Sequence, residues 1–171
     1  MKDDIGSACL VTVDGTDFRI QEPRPFSKKW FSHKIKKPAL RYEVCVSIQR
    51  GDIVWINGPF PCGQWNDVTI FRSALKSVLK AGERLEADKG YAGDPAYVDT
   101  PEQPIEDGIR KKSIVRARHE TANGRLKQWG CLSNVFRHDI LKHQSVLYAV
   151  AVITQLETEN GEPLFQVDYG K

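Results

Sequence analysis

The run Ala8-Cys9-Leu10-Val11-Thr12-Val13-Asp14-Gly15-Thr16 constrains this chain more than any other stretch. Six residues, nearly all apolar, end in an aspartate, a glycine and a threonine. A short run of this kind, closed by a turn signal, reads as a strand buried on both faces. Asp14 then stands where the strand leaves the core. A carboxylate there is costly unless a basic side chain or a metal ion meets it. Taken alone, Asp14 reads equally as a strand-ending turn residue. Three more acids in telling places shift that balance.

The 171 residues are enough for one domain with a real core, which predicts a single domain over 1–171. The apolar share of 40% and charged share of 27% are ordinary for a soluble globular protein. No stretch approaches the roughly 18 apolar residues of a membrane span. Met1-Lys2-Asp3-Asp4 lacks the apolar core of a signal peptide, so an intracellular protein with no membrane partner is expected. Cys9, Cys45, Cys62 and Cys131 are scattered, with no C-x-x-C pair, which argues against a zinc cluster and for free thiols. Net charge is only +3 but uneven. Lys28, Lys29, Lys34, Lys36, Lys37 and Arg41 crowd one segment, and Arg110, Lys111, Lys112, Arg116 and Arg118 another. Basic clusters on a near-neutral chain suit a polyanion, although each also reads as a solvated face. Trp30, Phe31 and His33 among the first lysines suit nucleic-acid contact, or pin a long loop to the core.

After Asp14, the stretch Asp17 to Ile20 reads as a separate short extended piece, ended by Glu22-Pro23-Arg24-Pro25. Arg41 to Gln49 alternates as a half-buried strand, turns at Arg50-Gly51-Asp52 and returns through Ile53 to Ile56 as a hairpin. Asn57 to Gly63 reads as a loop. Asn66 or Asp67 caps a helix with core face Val68, Phe71, Leu75, Val78 and Leu79, stopped by Gly82. Leu85 to Asp88 is a second strand ending in an aspartate, and Asp94 to Gly108 an irregular excursion. A helix over Ser113 to Trp129 puts Val115, Ala122, Leu126 and Trp129 on one face beside His119. It puts Arg116, Glu120, Asn123 and Lys127 on another. Gly124 inside it suggests close approach of a strand or a phosphate. A last, largely buried helix runs from about His138 to Glu157, and Asn160-Gly161 ends it. This order predicts an α/β fold, a mixed sheet flanked by helices.

Asp14 and Asp88 thus end strands, Asp67 stands at a helix start, and Glu120 projects from a helix among basic and amide neighbours. Strand ends on one side of a mixed sheet converge. Converging carboxylates repel unless a cation bridges them. Magnesium or manganese fits, taking carboxylates together with water and phosphate oxygens. Two such ions can activate a water and stabilise the leaving oxygen of a phosphodiester. Arg116 and Lys127 would hold backbone phosphates, with Asn123 on the same face and Lys34, Lys36 and Lys37 from the first cluster. The plainer alternatives are a helix cap for Asp67 and a surface ion pair for Glu120.

Four ordered motifs carry a resemblance over roughly residues 8 to 166. They are Val13-Asp14-Gly15-Thr16, the loop Gly58 to Asp67, Ala87-Asp88-Lys89-Gly90-Tyr91, and Arg118-His119-Glu120 through Leu126-Lys127. Together they resemble the catalytic domain of DDE-type transposases, in particular the Harbinger-like group of the DDE superfamily endonucleases. Arg116, Glu120 and Lys127 also fit part of a signature of related bacterial transposases, whose opening tyrosine falls at Ser113 here. The resemblance implies a ribonuclease H-like fold and metal-dependent cutting of DNA. It implies Asp14, Asp88 and Glu120 as catalytic ligand triad, with Asp67 as fourth metal ligand or helix cap. Thirteen residues precede Asp14, so a separate end-binding domain is not expected within the chain. In Harbinger-like elements a Myb-like protein helps bind DNA, which gives the expected partners as DNA and such a protein, with self-association open. A nucleus would be the location in a eukaryote. The competing reading is a domesticated or truncated transposase-derived module that contacts DNA or protein without cutting.

Overall fold

The computed structural model describes residues 9–100 and 106–167, with side chains left undescribed over 106–113. A six-stranded mixed sheet forms its centre. Strand β1 (Val11–Arg19) pairs antiparallel with β3 (Lys37–Ser47), and β3 pairs antiparallel with β4 (Ile53–Pro61). On the other edge of β1 lie β5 (Leu85–Ala87) and then β6 (Val98–Asp99), both parallel. Short β2 (Phe31–Ser32) pairs with the start of β3. Helices α1 (Asp67–Ser73) and α2 (Leu75–Val78) cover one face; α3 (Glu106–Leu126), α4 (Gly130–Ser133) and α5 (His143–Asn160) cover the other. Three antiparallel strands continued by two parallel ones, with helices on both faces, form the expected ribonuclease H-like α/β fold.

Strand period two sorts the core. Val13 and Cys45 pack with Phe71, Leu75, Leu85 and Tyr91 under α1. Phe18 and Tyr42 pack with Leu126, Leu147 and Val150 under α3 and α5. With helices on both faces, β3 is buried throughout its middle, so Glu43 is 0% exposed and the strand is not half-buried as its alternation suggests.

Several boundaries differ from the sequence reading. β1 does not end at Asp14. Its antiparallel ladder with β3 carries on from Asp14↔Val44 to Arg19↔Ala39, whereas its parallel ladder with β5 stops at Val13↔Ala87. The turn signal marks the loss of one neighbour and not the end of the strand. The predicted loop through Pro61 is strand, held by pairing of Phe60 and Pro61 with Arg41 and Leu40. The helix after Asn66 breaks at Ala74, so Ile70 joins Phe71 and Leu75 in the core while Val78 is 55% exposed. The excursion after Asp94 contains β6, and α3 runs from Glu106 to Leu126, so Lys127 and Trp129 lie beyond its end. A Cβ on Gly124 would meet nothing within 4 Å, so nothing approaches closely there. Helix α5 starts at His143 and leaves Val152 and Leu156 exposed, so it is half-buried only. Two members of the basic clusters are structural. Arg118 is 1% exposed and donates to the Ile48 carbonyl at 2.6 Å, and half-buried Arg41 is held in ion pairs with Asp17 and Asp67. Arg110, Lys111 and Lys112 lie where side chains are not described. The four cysteines are free. Among the described residues, no helix is long and apolar enough to cross a membrane.

Candidate functional site

Parallel pairing of β1 with β5 sets Val13 opposite Ala87, so Asp14 and Asp88 follow side by side. Asp88 caps the 3-10 turn Lys89–Tyr91, its Oδ1 accepting from the Gly90 N–H at 2.8 Å. Helix α3 crosses the same face and is pinned to β1 at two points. Thr12 Oγ1 and His119 Nδ1 share a buried hydrogen bond of 2.6 Å, and Asn123 Nδ2 donates to Asp14 Oδ2 at 3.2 Å. Those contacts bring Glu120, next to His119, to the same place. Asp14, Asp88 and Glu120 line one cavity of about 220 Å³, shared with Lys34, Glu86, Arg116 and His119.

The electrostatics there are short of positive charge. Burial, with the charges of Asp88 and Asp67, pushes the Asp14 carboxyl up to about 6 against the opposing pull of Lys34. Burial pushes the His119 imidazole down to about 4, with Lys34 acting in the same direction, so it is neutral at pH 7. Its Nε2 has no hydrogen-bond partner. Lys34 is largely exposed and its Nζ donates to the Gly15 carbonyl at 3.4 Å. As the side chains lie, no three of His, Cys, Asp and Glu among the described residues stand close enough to hold a metal ion.

The remaining sequence candidates separate. Asn66 caps α1, its side chain accepting from the Thr69 N–H at 2.9 Å, so Asp67 is not the cap. Asp67 instead accepts from Arg41 Nη1 at 3.1 Å. Asn123 is 7% exposed and faces Asp14, which makes it a neighbour of that carboxylate and not a surface group. Lys127 stands over the Phe18 ring, 5.4 Å from its centroid, beside a second hollow with Asp17 and Arg19. Lys36 and Lys37 are exposed on the turn into β3.

Three acids escaped the sequence reading. Glu86 is 1% exposed and lines the cavity. Its signal was available, because it lies two residues before Asp88 on a strand and so on the same face. Asp17 takes two hydrogen bonds from Arg41, at 2.7 and 3.0 Å, and one from Ser32 Oγ at 2.5 Å. Glu43 accepts from Trp55 Nε1 at 3.0 Å, and burial pushes its carboxyl up to about 7. For Asp17 and Glu43 no local pattern marks the partner, which comes from another strand.

A protein named probable transposase for insertion sequence element IS702, from Microchaete diplosiphon, is 29% identical over 143 residues, covering 75% of this chain and 50% of that protein. The chain therefore spans half the length of the curated relative it matches. The family described as DDE superfamily endonuclease matches residues 13–155, a stretch that runs from the residue before Asp14 into α5 and takes in the cavity acids. By that match the chain belongs to the DDE superfamily endonucleases.

Proposed function

We propose that this chain is one catalytic domain of a divalent-metal-dependent DNA endonuclease of the transposase type, acting through Asp14, Asp88 and Glu120. The observation that carries the reading is the sharing of a single cavity by these three carboxylates, contributed by two parallel strands and a helix. The donor set suits a hard cation: oxygen ligands, one of them with its carboxyl raised to about 6 by burial and like charge. Exposed Asp88 and Glu120 would reach a common ion by side-chain rotation. When bound, two Mg²⁺ or Mn²⁺ ions supply an activated water and stabilise the leaving oxygen of a phosphodiester.

The chain's own groups do the rest. Asn123 holds Asp14 at a fixed angle, and the Gly90 N–H holds Asp88. Thr12 and neutral His119 lock α3 against β1, which fixes where Glu120 emerges. Lys34 and Arg116 at the cavity would hold phosphate oxygens, with Lys36, Lys37 and Lys127 extending the track. DNA is the substrate in this reading. A Harbinger-like origin, a separate Myb-like DNA-binding protein, self-association and, in a eukaryote, a nuclear site of action belong to the same proposal.

Mn²⁺ calorimetry followed by a nicking assay tests it. Asp14→Asn and Glu120→Gln are expected to abolish saturable Mn²⁺ binding and Mg²⁺- or Mn²⁺-dependent nicking while circular dichroism stays unchanged. Wild-type protein that binds DNA but no Mn²⁺ would instead establish the non-cutting module.

A further inference from the structure

Asp67 stands between the two backbones that carry Asp14 and Asp88. A Cβ built on Gly15 would collide with Asp67 Oδ1, and one on Gly90 would lie 2.8 Å from Asp67 Oδ2 and 2.9 Å from Asp88 Oδ1. Neither glycine has a positive φ, so neither is demanded by backbone conformation. Both provide room for the Asp67 carboxylate, and Gly90 for that of Asp88 as well. Gly15 directly follows Asp14, and Gly90 donates to Asp88. On its other side Asp67 is gripped by Arg41, whose guanidinium is itself fixed by two hydrogen bonds to Asp17. Asp17 is anchored in turn by Ser32. A rigid line thus runs from Ser32 through Asp17 and Arg41 to Asp67, and ends in the gap between the Asp14 and Asp88 segments. Asp67 is absent from the lining of the cavity that Asp14, Asp88 and Glu120 share.

We propose that Asp67 is a positioning residue and not a metal ligand: its carboxylate, held by Arg41, sets the spacing between the Gly15 and Gly90 backbones and so between Asp14 and Asp88. This rests on the metal-site reading above. One Asp67 oxygen is spent on Arg41. The two glycines make the contact sterically exclusive, since any side chain at either position displaces the post.

Mn²⁺ calorimetry and the electron paramagnetic resonance spectrum of bound Mn²⁺ test the role on the full chain. Asp67→Asn is expected to bind as many ions as wild type but ten- to a hundredfold more weakly, the usual range for groups that orient ligands. Its bound-Mn²⁺ spectrum should be altered, because Asp14 and Asp88 shift. Gly15→Ala should weaken Mn²⁺ binding at least tenfold in wild type and add little in an Asp67→Ala background, because the collision is then gone. Loss of an ion from the Asp67→Asn stoichiometry overturns the proposal and leaves the metal site standing. An equal effect of Gly15→Ala in both backgrounds does the same. If the Asp67 variants do not fold, Gly15→Ala decides alone: at least tenfold weaker binding supports the proposal and unchanged affinity overturns it. Wild type that binds no Mn²⁺ overturns the underlying reading and this proposal with it.

Discussion

Asp14 and Asp17 lie three residues apart on β1, on opposite faces of the sheet, and they meet opposite fates. Asp17, on the α1 face, is clamped by Arg41 and Ser32. Those bonds hold its carboxyl below the usual carboxylate range although burial alone would raise it. Asp14, on the α3 face, accepts from the Asn123 amide at 3.2 Å; burial, with the charges of Asp88 and Asp67 and against the pull of Lys34, raises its carboxyl to about 6. Asp17 is met by a guanidinium within the fold; Asp14 is met by an amide, with Lys34 acting on it through its charge. The difference teaches that a buried acid is informative only with its partners. A paired acid holds the fold together, and an acid left short of positive charge is where an external cation or phosphate-bearing substrate has something to gain.

The comparison breaks most visibly at Arg41. Removing it strands Asp17, whose side chain is 0% exposed, as an unpaired buried charge. Arg41→Met is expected to lower stability by about 3–5 kcal/mol, read from urea denaturation. A loss under about 1 kcal/mol would mean the pair is not the internal anchor described.

Next in size is a pH effect from Glu43, which shares the α1 face but lacks a cation. Its carboxyl titrates at about 7 when folded, against 4.5 ordinarily. Folding therefore binds a proton between those values. Its stabilising contribution is complete below about pH 4.5 and is lost as pH rises through about 7, amounting to about 2–3 kcal/mol. Glu43→Gln should flatten this part of the curve, measured by denaturation at pH 5 and pH 8. An unchanged slope would show that Glu43 is not the titrating group.

Asp14→Asn should do the reverse of Arg41→Met. Without metal at pH 7 it removes a disfavoured charge while its amide oxygen still accepts from Asn123, so the melting temperature should rise by an amount equivalent to about 1–2 kcal/mol. Destabilisation of that size would place Asp14 with Asp17 as a structural acid. The smallest effect serves as a control on α3 away from the acids. Gly124→Ala, with nothing within 4 Å of the new Cβ, should stabilise by about 0.5–1 kcal/mol and leave Mn²⁺ binding unchanged.

Much of the scaffold was legible in the chain itself. The apolar run before Asp14, the hairpin around Gly51 and the helix bearing Glu120 all announce themselves by periodicity, because side-chain burial repeats every two or 3.6 residues. Element ends were less legible. The Asp14-Gly15 turn signal and the prolines of β4 marked places where the ladder loses a neighbour or bends, and local chemistry cannot tell these from termination.

The sequence by itself determined which acids exist, that Asp14 follows an apolar run and Asp88 a short strand, and that Arg116, Glu120 and Asn123 lie along one side of a helix. It could not say which acid meets a partner. That was decided by strand register: antiparallel pairing puts Arg41 opposite Asp17, and parallel pairing puts Asp88 beside Asp14. A shift of one residue would exchange the faces and with them the partners. Charge pairing acts over a few ångströms of space, whereas Asp14 and Glu120 are more than a hundred residues apart along the chain. Only the folded sheet and its crossing helix bring them to one cavity.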